Sequence, residues 1–353
     1  MSRVLVGMSG GVDSSVAAAV LVDEGHEVVG VTMRLWGGDA DTGCCSVSDV
    51  EDARRVADQL GIDHVVFNFS DDFEQHVVTP YVDGHRAGIT PNPCIECNRH
   101  LKFERLAERA HLLGFDAVAT GHHAQIELRN DRWTLRRGAD PAKDQSYVLH
   151  MADQATLSRT LLPIGAMHKD EVRAIAREIG LRTAGKPDSQ DVCFIRSDEG
   201  RARFLGDRIP LRAAAVVDTD GVDIGRVESV ETVTIGQRRG LGLPGGGPVR
   251  YVVDVDHADP DRPVVVVGAH DHLLRDAMAV GSMSWTDAPV CGDVLVQVSA
   301  HGEPMAATIG GPDASGRHIV TTARPHRRVA PGQSAVLYDL ADDCVLGGGI
   351  VVN

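Results

Sequence analysis

Aromatic side chains are scarce in this chain, with 3 Trp, 4 Tyr and 7 Phe in 353 residues. Its cores must therefore be built from Val, Leu, Ile and Ala, which a hydrophobic fraction of 43% supplies. Long apolar runs are missing as well. The longest, Val16 to Val22, falls far short of the roughly 18 residues that span a bilayer, so no membrane association is expected. The opening Met-Ser-Arg-Val-Leu-Val-Gly reaches a Gly-rich loop at once, without the segments of an export signal, and a cytoplasmic location is expected. Positive charge is in deficit, with 35 Lys and Arg against 50 Asp and Glu and a net charge of −15. A nucleic-acid partner would have to be met through local basic patches on a repelling surface. Seven cysteines without an export signal argue for reduced thiols over a disulfide scaffold. There is no H-E-x-x-H motif and no second C-x-x-C to complete a four-cysteine zinc site, so no zinc centre is expected.

What is present is order along the chain. At roughly 100–200 residues per domain the length suits two or three domains. Arg3–Met8, His26–Met33, His64–Phe69 and Phe115–Thr120 read as strands. Between them lie helical stretches at Ser14–Glu24, from the capping box Ser48-x-x-Glu51 to Leu60, and at Leu101–Leu113. This alternation predicts an α/β domain with a doubly wound, mostly parallel sheet. A hairpin over Gln125–Leu128 and Arg132–Arg136, turning at Asn130-Asp131, and a helix over Lys169–Ile179 complete it. Beyond about residue 205 short Val/Ile runs punctuated by Gly, Pro and Asp predict two small β-rich domains. The expected division is residues 1–205, 206–274 and 275–353.

Between the first strand and the first helix stands Gly7-Met8-Ser9-Gly10-Gly11-Val12-Asp13-Ser14-Ser15. Glycines let backbone approach a phosphate, and N–H groups at a helix start supply anion donors. Neither the P-loop lysine nor G-x-G-x-x-G spacing is present. Asp13 beside a polyphosphate is reasonable where Mg²⁺ bridges the two. A second stretch, Thr90-Pro91-Asn92-Pro93-Cys94-Ile95-Glu96-Cys97-Asn98, puts two thiols at a helix start, where the dipole favours thiolate. A third thiol, Cys193, sits in the polar loop Asp188-Ser189-Gln190-Asp191-Val192-Cys193-Phe194.

The glycine loop resembles that of the N-type ATP pyrophosphatases. With Met33, TPNPCIECN, ATGHHA, KDQSYVL, DSQDVCFI, TIGQRRGLGL and APGQSAVLYD ending in LGGGIV, in that order, essentially the whole chain resembles the tRNA-specific 2-thiouridylase family. The resemblance implies an adenine nucleotide alpha-hydrolase-like fold and ATP-dependent 2-thiolation of the wobble uridine of tRNA. ATP adenylates the carbon-2 oxygen, and a persulfide on Cys193, loaded by an upstream persulfide sulfur carrier or cysteine desulfurase, delivers sulfur. Cys97 attacks that persulfide, leaving a Cys97–Cys193 disulfide. By the same resemblance Gly7, Met8, Ser9, Gly10, Gly11, Val12, Asp13, Ser14, Met33 and Gly121 meet ATP. Asn92, Pro93 and Cys94 meet the target base, and His122, Lys143, Asp144, Gln145 and Gln333 meet tRNA. Three departures stand out: Cys94 where some relatives have Asp, His123 where Tyr is frequent, and Val298-Ser299-Ala300 where many have Arg-Tyr-Arg.

Other routes stay open on the residues themselves. Cys94, Cys97 and Cys193 suit three corners of a [4Fe–4S] cluster; the glycine loop also serves ammonia-using ligases and a non-catalytic tRNA-binding module. Arg99, Lys102, Arg105, Lys143 and the Arg201–Arg203 region are expected to supply a basic face. Cys44 and Cys45 read as structural, Cys291 and Cys344 as buried hydrophobes.

Overall fold

The computed structural model describes residues 1–35, 47–188, 192–195, 200–244, 247–256, 259 and 261–352. Cys44, Cys45 and the Ser189-Gln190-Asp191 part of the third cysteine motif lie outside the described residues. The first sheet begins with β1 (Arg3–Gly7), followed by helix α1 (Val12–Asp23), β2 (Glu27–Arg34), helix α2 (Val47–Leu60), β3 (Asp63–Asn68) and β4 (Ala117–Ala119). The hairpin β5 (Ala124–Arg129) and β6 (Arg132–Arg137) leaves this sheet before β7 (Thr160–Leu161) returns to it. The order is β3-β2-β1-β4-β7, all parallel. Strand side chains alternate between two cores. Leu5 joins one apolar cluster with Phe73, Leu101 and Leu106, while Val4 and Val6 join another with Val16, Val56 and Val172. Burial on both faces is what an apolar, β-branched strand dictates.

Two pieces depart from the sequence reading. A helical layer, Ser70–Phe73, Glu74–Val78 and Thr79–Arg86, covers one face of the sheet. The helix expected from Leu101 starts earlier, at Pro93, runs through a wide π-helical stretch over Cys97–Arg105 and ends at Leu112.

The β-rich remainder forms two bodies. Strands β8 (Ala214–Val217), β9 (Asp223–Val227), β10 (Tyr251–Asp256) and β11 (Val264–Gly268) make a mixed sheet of order β10-β11-β8-β9. A closed six-stranded barrel follows: β12 (Leu274–Trp285), β13 (Gly292–Gln297), β14 (Met305–Ile309), β15 (His318–Arg327), β16 (Ser334–Tyr338) and β17 (Val345–Val352). The barrel is fastened to the first domain by a shared core in which Ile95, Leu135 and Tyr147 pack with Val336, Tyr338 and Val345. Arg137 reinforces that seam, lying 3.8 Å over the Tyr338 ring and reaching Asp144 at 2.8 Å and Asp342 at 2.6 Å. No helix among the described residues is long and apolar enough to cross a membrane.

Candidate active site

The chain order reverses at β1, which has β2 on one side and β4 on the other. Open α/β sheets hold ligands at such a switch point, beyond the strand ends. The loop Gly7–Ser15 leaves β1 there. Gly10 takes φ +73°, and a Cβ on it would run into the backbone of Asp49 on α2, so only glycine lets the turn lie against that helix. The Ser9 N–H donates to Ser14 Oγ at 3.1 Å, and Ser15 Oγ donates to the Gly11 carbonyl at 2.7 Å. Helix α1 has Gly11 as its N-cap and no side chain capping it, which leaves first-turn N–H groups to an anion. Gly121, after β4, closes the other wall: a Cβ there would stand 2.6 Å from the Ser14 nitrogen. Met8 and Val12 are buried in the core, so only their main chain can serve a nucleotide. Met33 is half-buried on β2 opposite Phe67.

A chain of charges encloses this turn. Asp13 meets Lys169 at 2.7 Å and His123 Nε2 at 3.2 Å. Lys169 also meets Asp188 at 2.9 Å, and Asp188 is shared with Lys143 at 2.8 Å and Arg173 at 2.9 Å. Burial pushes the Asp13 carboxyl upward, but hydrogen bonds from His123 and Lys169 outweigh it and hold the group below the ordinary carboxylate range. The same opposition, with Lys143 and Lys169 winning over burial, lowers Asp188 further. Both carboxylates are therefore ionised at neutral pH. Behind the loop, Lys186 donates to the Gly10 carbonyl at 3.0 Å and to Asp49 at 2.6 Å.

Lys169 was not singled out by sequence reasoning. It is the first residue of the helix Lys169–Glu178 and only 7% exposed. A cation at a helix N-terminus opposes the macrodipole. That mismatch in Met167-His168-Lys169-Asp170-Glu171 was the available sign that its partner lay elsewhere.

The residues expected at tRNA are differently disposed. His122 is buried, its Nε2 taking a hydrogen bond from Lys102 at 3.3 Å and its Nδ1 facing Thr120 Oγ1 at 2.8 Å. Burial first, and Lys102 second, keep it neutral, well below the ordinary histidine range. The Asp144 carboxylate is occupied by Arg137, the Gly138 N–H and Ser146. Gln145 pairs with the His123 backbone on both sides, its N–H on the carbonyl at 2.8 Å and its Oε1 on the N–H at 2.9 Å. The polar atoms of these three are engaged by neighbouring groups of the chain itself. Lys143 is 40% exposed. Gln333 reaches from the barrel to the Thr90 carbonyl at 2.6 Å, and the Thr90 N–H donates to the Pro331 carbonyl at 2.8 Å. The barrel thus fixes the segment that leads to Asn92.

Asn92 caps the cysteine helix, its Oδ1 accepting from the Cys94 N–H at 3.1 Å, with Pro93 buried behind it. Cys94, Cys97 and Cys193 are all half-buried. Although Cys97 and Cys193 are far apart in sequence, both border the apolar cluster that contains Phe73, Leu101 and Phe194. Phe194 anchors the Cys193 segment among rings, 5.6 Å from Phe73, 5.5 Å from Tyr81 and 5.2 Å from Phe204. Val192 carries φ +49°, a conformation that costs a β-branched residue about 1–3 kcal/mol.

Among the described residues no three His, Cys, Asp or Glu side chains gather closely enough to hold a metal ion. Cys94, Cys97 and Cys193 do not gather as three corners of a cluster. Asp13 fits Mg²⁺ differently, because that ion is held by one or two carboxylates together with substrate phosphates.

A doubly wound sheet with an uncapped helix start at its switch point defines a protein of the nucleotide-binding α/β class. Its family models are a tRNA methyl transferase HUP domain over residues 2–197, a tRNA methyl transferase PRC-barrel domain over 202–269 and an aminomethyltransferase beta-barrel domain over 275–351. The tRNA-specific 2-thiouridylase MnmA of Chloroflexus aurantiacus is 47% identical, covering 100% of this chain and 99% of the relative. That of Herpetosiphon aurantiacus is 44% identical over 99% of this chain and 98% of the relative. That of Clostridium botulinum is 42% identical over 99% and 97%. This chain belongs to the tRNA-specific 2-thiouridylase family. A solved 4-thiouridine synthetase–RNA complex with bound ATP superposes only loosely, with TM-score 0.39 and 20% identity over 55% of this chain and 45% of that one.

Proposed function

We propose that this chain is an ATP-dependent tRNA-uridine 2-sulfurtransferase, with residues 1–205 as the catalytic domain and 206–274 and 275–353 as two β-rich domains around it. The carbon-2 oxygen of uracil is a poor leaving group, so the oxygen first attacks the α-phosphorus of ATP and pyrophosphate departs. The loop Gly7–Ser15 supplies N–H donors to the phosphates. Lys169 and Lys143 supply positive charge at its edge, and Asp13, together with the phosphates, is the residue that would hold Mg²⁺. When bound, that ion would neutralise the polyphosphate.

Sulfur then arrives as a persulfide on Cys193, loaded by a sulfur carrier or cysteine desulfurase. The Cys97 thiolate attacks the inner sulfur of Cys193, and the outer sulfur leaves as hydrosulfide. That hydrosulfide adds to carbon 2, AMP departs with the original oxygen, and Cys97 and Cys193 remain joined as a disulfide. A dithiol reductant restores both thiols. The base must be unstacked to reach this pocket, and an anticodon loop presents it that way at least cost.

The observation that carries this reading is that Cys97 and Cys193, far apart in sequence, border one apolar cluster in the domain whose β1–α1 turn leaves its first N–H groups to an anion. The test is incubation with ATP, Mg²⁺, unmodified tRNA, a dithiol reductant and a cysteine desulfurase with cysteine as the persulfide source, followed by nucleoside mass spectrometry. Appearance of 2-thiouridine with stoichiometric pyrophosphate is expected; pyrophosphate without any thiolated nucleoside would overturn the reading.

A further inference from the structure

With a net charge of −15 the protein repels RNA at long range, so the cations its own carboxylates leave unpaired offer RNA phosphates the most. Several of the obvious ones are already engaged. Arg105 is paired with Asp72 and Glu108, Lys143 with Asp188, and Arg99 with Glu96. Arg238 and Arg239 are not. They are exposed, and no carboxylate among the described residues pairs with either.

Both belong to the TIGQRR segment of the central sheet domain, a motif that no step of the proposed chemistry uses. With Arg201 they line an open cavity of about 630 Å³ whose wall includes Thr234 and Gln237. The loop is stiffened from within. Gln237 Oε1 accepts from the Thr234 N–H at 3.1 Å, and its Nε2 donates to the Arg239 carbonyl at 2.9 Å. The Gly236 N–H and the Gln237 carbonyl are both paired with Val252. Arg201 is aimed by a 2.9 Å bond to the Thr232 carbonyl.

One wall residue of the cavity, Thr234, touches the chain that leads to the first cysteine segment, and the aromatic cluster around Phe194 lies in the neighbouring domain. Thr234 Oγ1 lies 3.5 Å from Thr90 Oγ1, two residues before Asn92, and Tyr81 packs 5.5 Å from Phe194, the neighbour of Cys193. We propose that Arg201 and the loop Thr234–Arg239 form a phosphate-binding site that grips the sugar–phosphate backbone of the RNA substrate beside the chain that leads to the first cysteine segment. Guanidinium forks suit phosphate oxygens, and a loop whose own hydrogen bonds fix it loses little entropy on binding. The inference rests on the reading of tRNA as substrate.

The test is the double variant Arg238→Ala/Arg239→Ala, with the affinity for unmodified tRNA measured by filter binding across a salt series. Both side chains are exposed, so the thermal midpoint should stay near that of the unsubstituted protein. Expected are about tenfold weaker tRNA binding and a salt slope reduced by about one per lost phosphate contact, with ATP affinity unchanged. Unchanged tRNA affinity and slope in the variant would overturn the site. Loss of inorganic pyrophosphate binding without loss of tRNA binding would reassign it to a free anion and equally overturn the proposal. If the unsubstituted protein itself fails to bind tRNA, the substrate reading falls and this inference with it.

Discussion

At the β1–α1 turn the candidate site is held by opposite charges: Asp13 on Lys169 and His123, Asp188 on Lys143, Lys169 and Arg173. A few residues away the Cys193 segment is held by rings, with Phe194 among Phe73, Tyr81 and Phe204, and by a left-handed Val192. Charge pairs at short range are directional and fix dipoles before substrate arrives, which is what stabilising a transferring phosphoryl group requires. Apolar contacts are non-directional and let a segment shift while staying buried. A site that must activate a base and then bring in sulfur has a use for one wall of each kind.

The sharpest way to break this comparison is Cys193→Ser. Formation of 2-thiouridine should fall by at least about a thousandfold while tRNA-dependent pyrophosphate release continues. Loss of both together would mean the two walls do not act separately. Lys169→Met attacks the charged wall, leaving Asp13 and Asp188 without their shared cation. Pyrophosphate release should drop about a hundredfold, and stability should fall by about 3 kcal/mol in denaturant titration. Phe194→Ala attacks the other wall. Removing that ring should cost about 3 kcal/mol and slow thiolation about tenfold, with pyrophosphate release little altered.

The most gradual effect is the one acid produces. His85 lies in the aromatic layer, 4.6 Å from Tyr81, with Nδ1 on the Glu231 carbonyl. Burial, then nearby Arg201, lowers it from 6.5 to about 4. Between those values the unfolded chain binds a proton that the folded one refuses, so stability is lost as pH falls through that window, by at most about 1.4 kcal/mol per unit. Buried His150, lowered to about 3, acts in the same direction. The carboxylates of the charged wall, lowered below 3.8, stay ionised until more acid conditions. Denaturant midpoints should therefore decline from about pH 6.5 downward, and thiolation should fail at a higher pH than pyrophosphate release.

Much of the frame was legible in local pattern. The strand–loop–helix at Gly7–Ser15 declared itself because glycines and serines interrupt apolar periodicity there. The β5–β6 hairpin did so through Asn130-Asp131, which take φ +49° and +61°. The two-residue β7 left no periodicity to read, and the helical layer over Ser70–Arg86 was not singled out. In the site, Asp13, Cys97 and Cys193 stood out by type and motif. Lys169 did not, because its reason for being buried is a pair of carboxylates at positions 13 and 188. Gln333 and Asp144 were expected at tRNA; what the sequence could not show is that Gln333 bonds the Thr90 carbonyl and that Asp144 binds Arg137 and Ser146.

By itself the sequence determined the class of sheet, the anion-ready turn and the identity of the thiols, since these depend on residue type and short spacing. Only the tertiary structure decided which cations are spent on carboxylates and which remain for a ligand, and which distant segments border one another. Pairing and burial depend on long-range approach of side chains, and no local period records that.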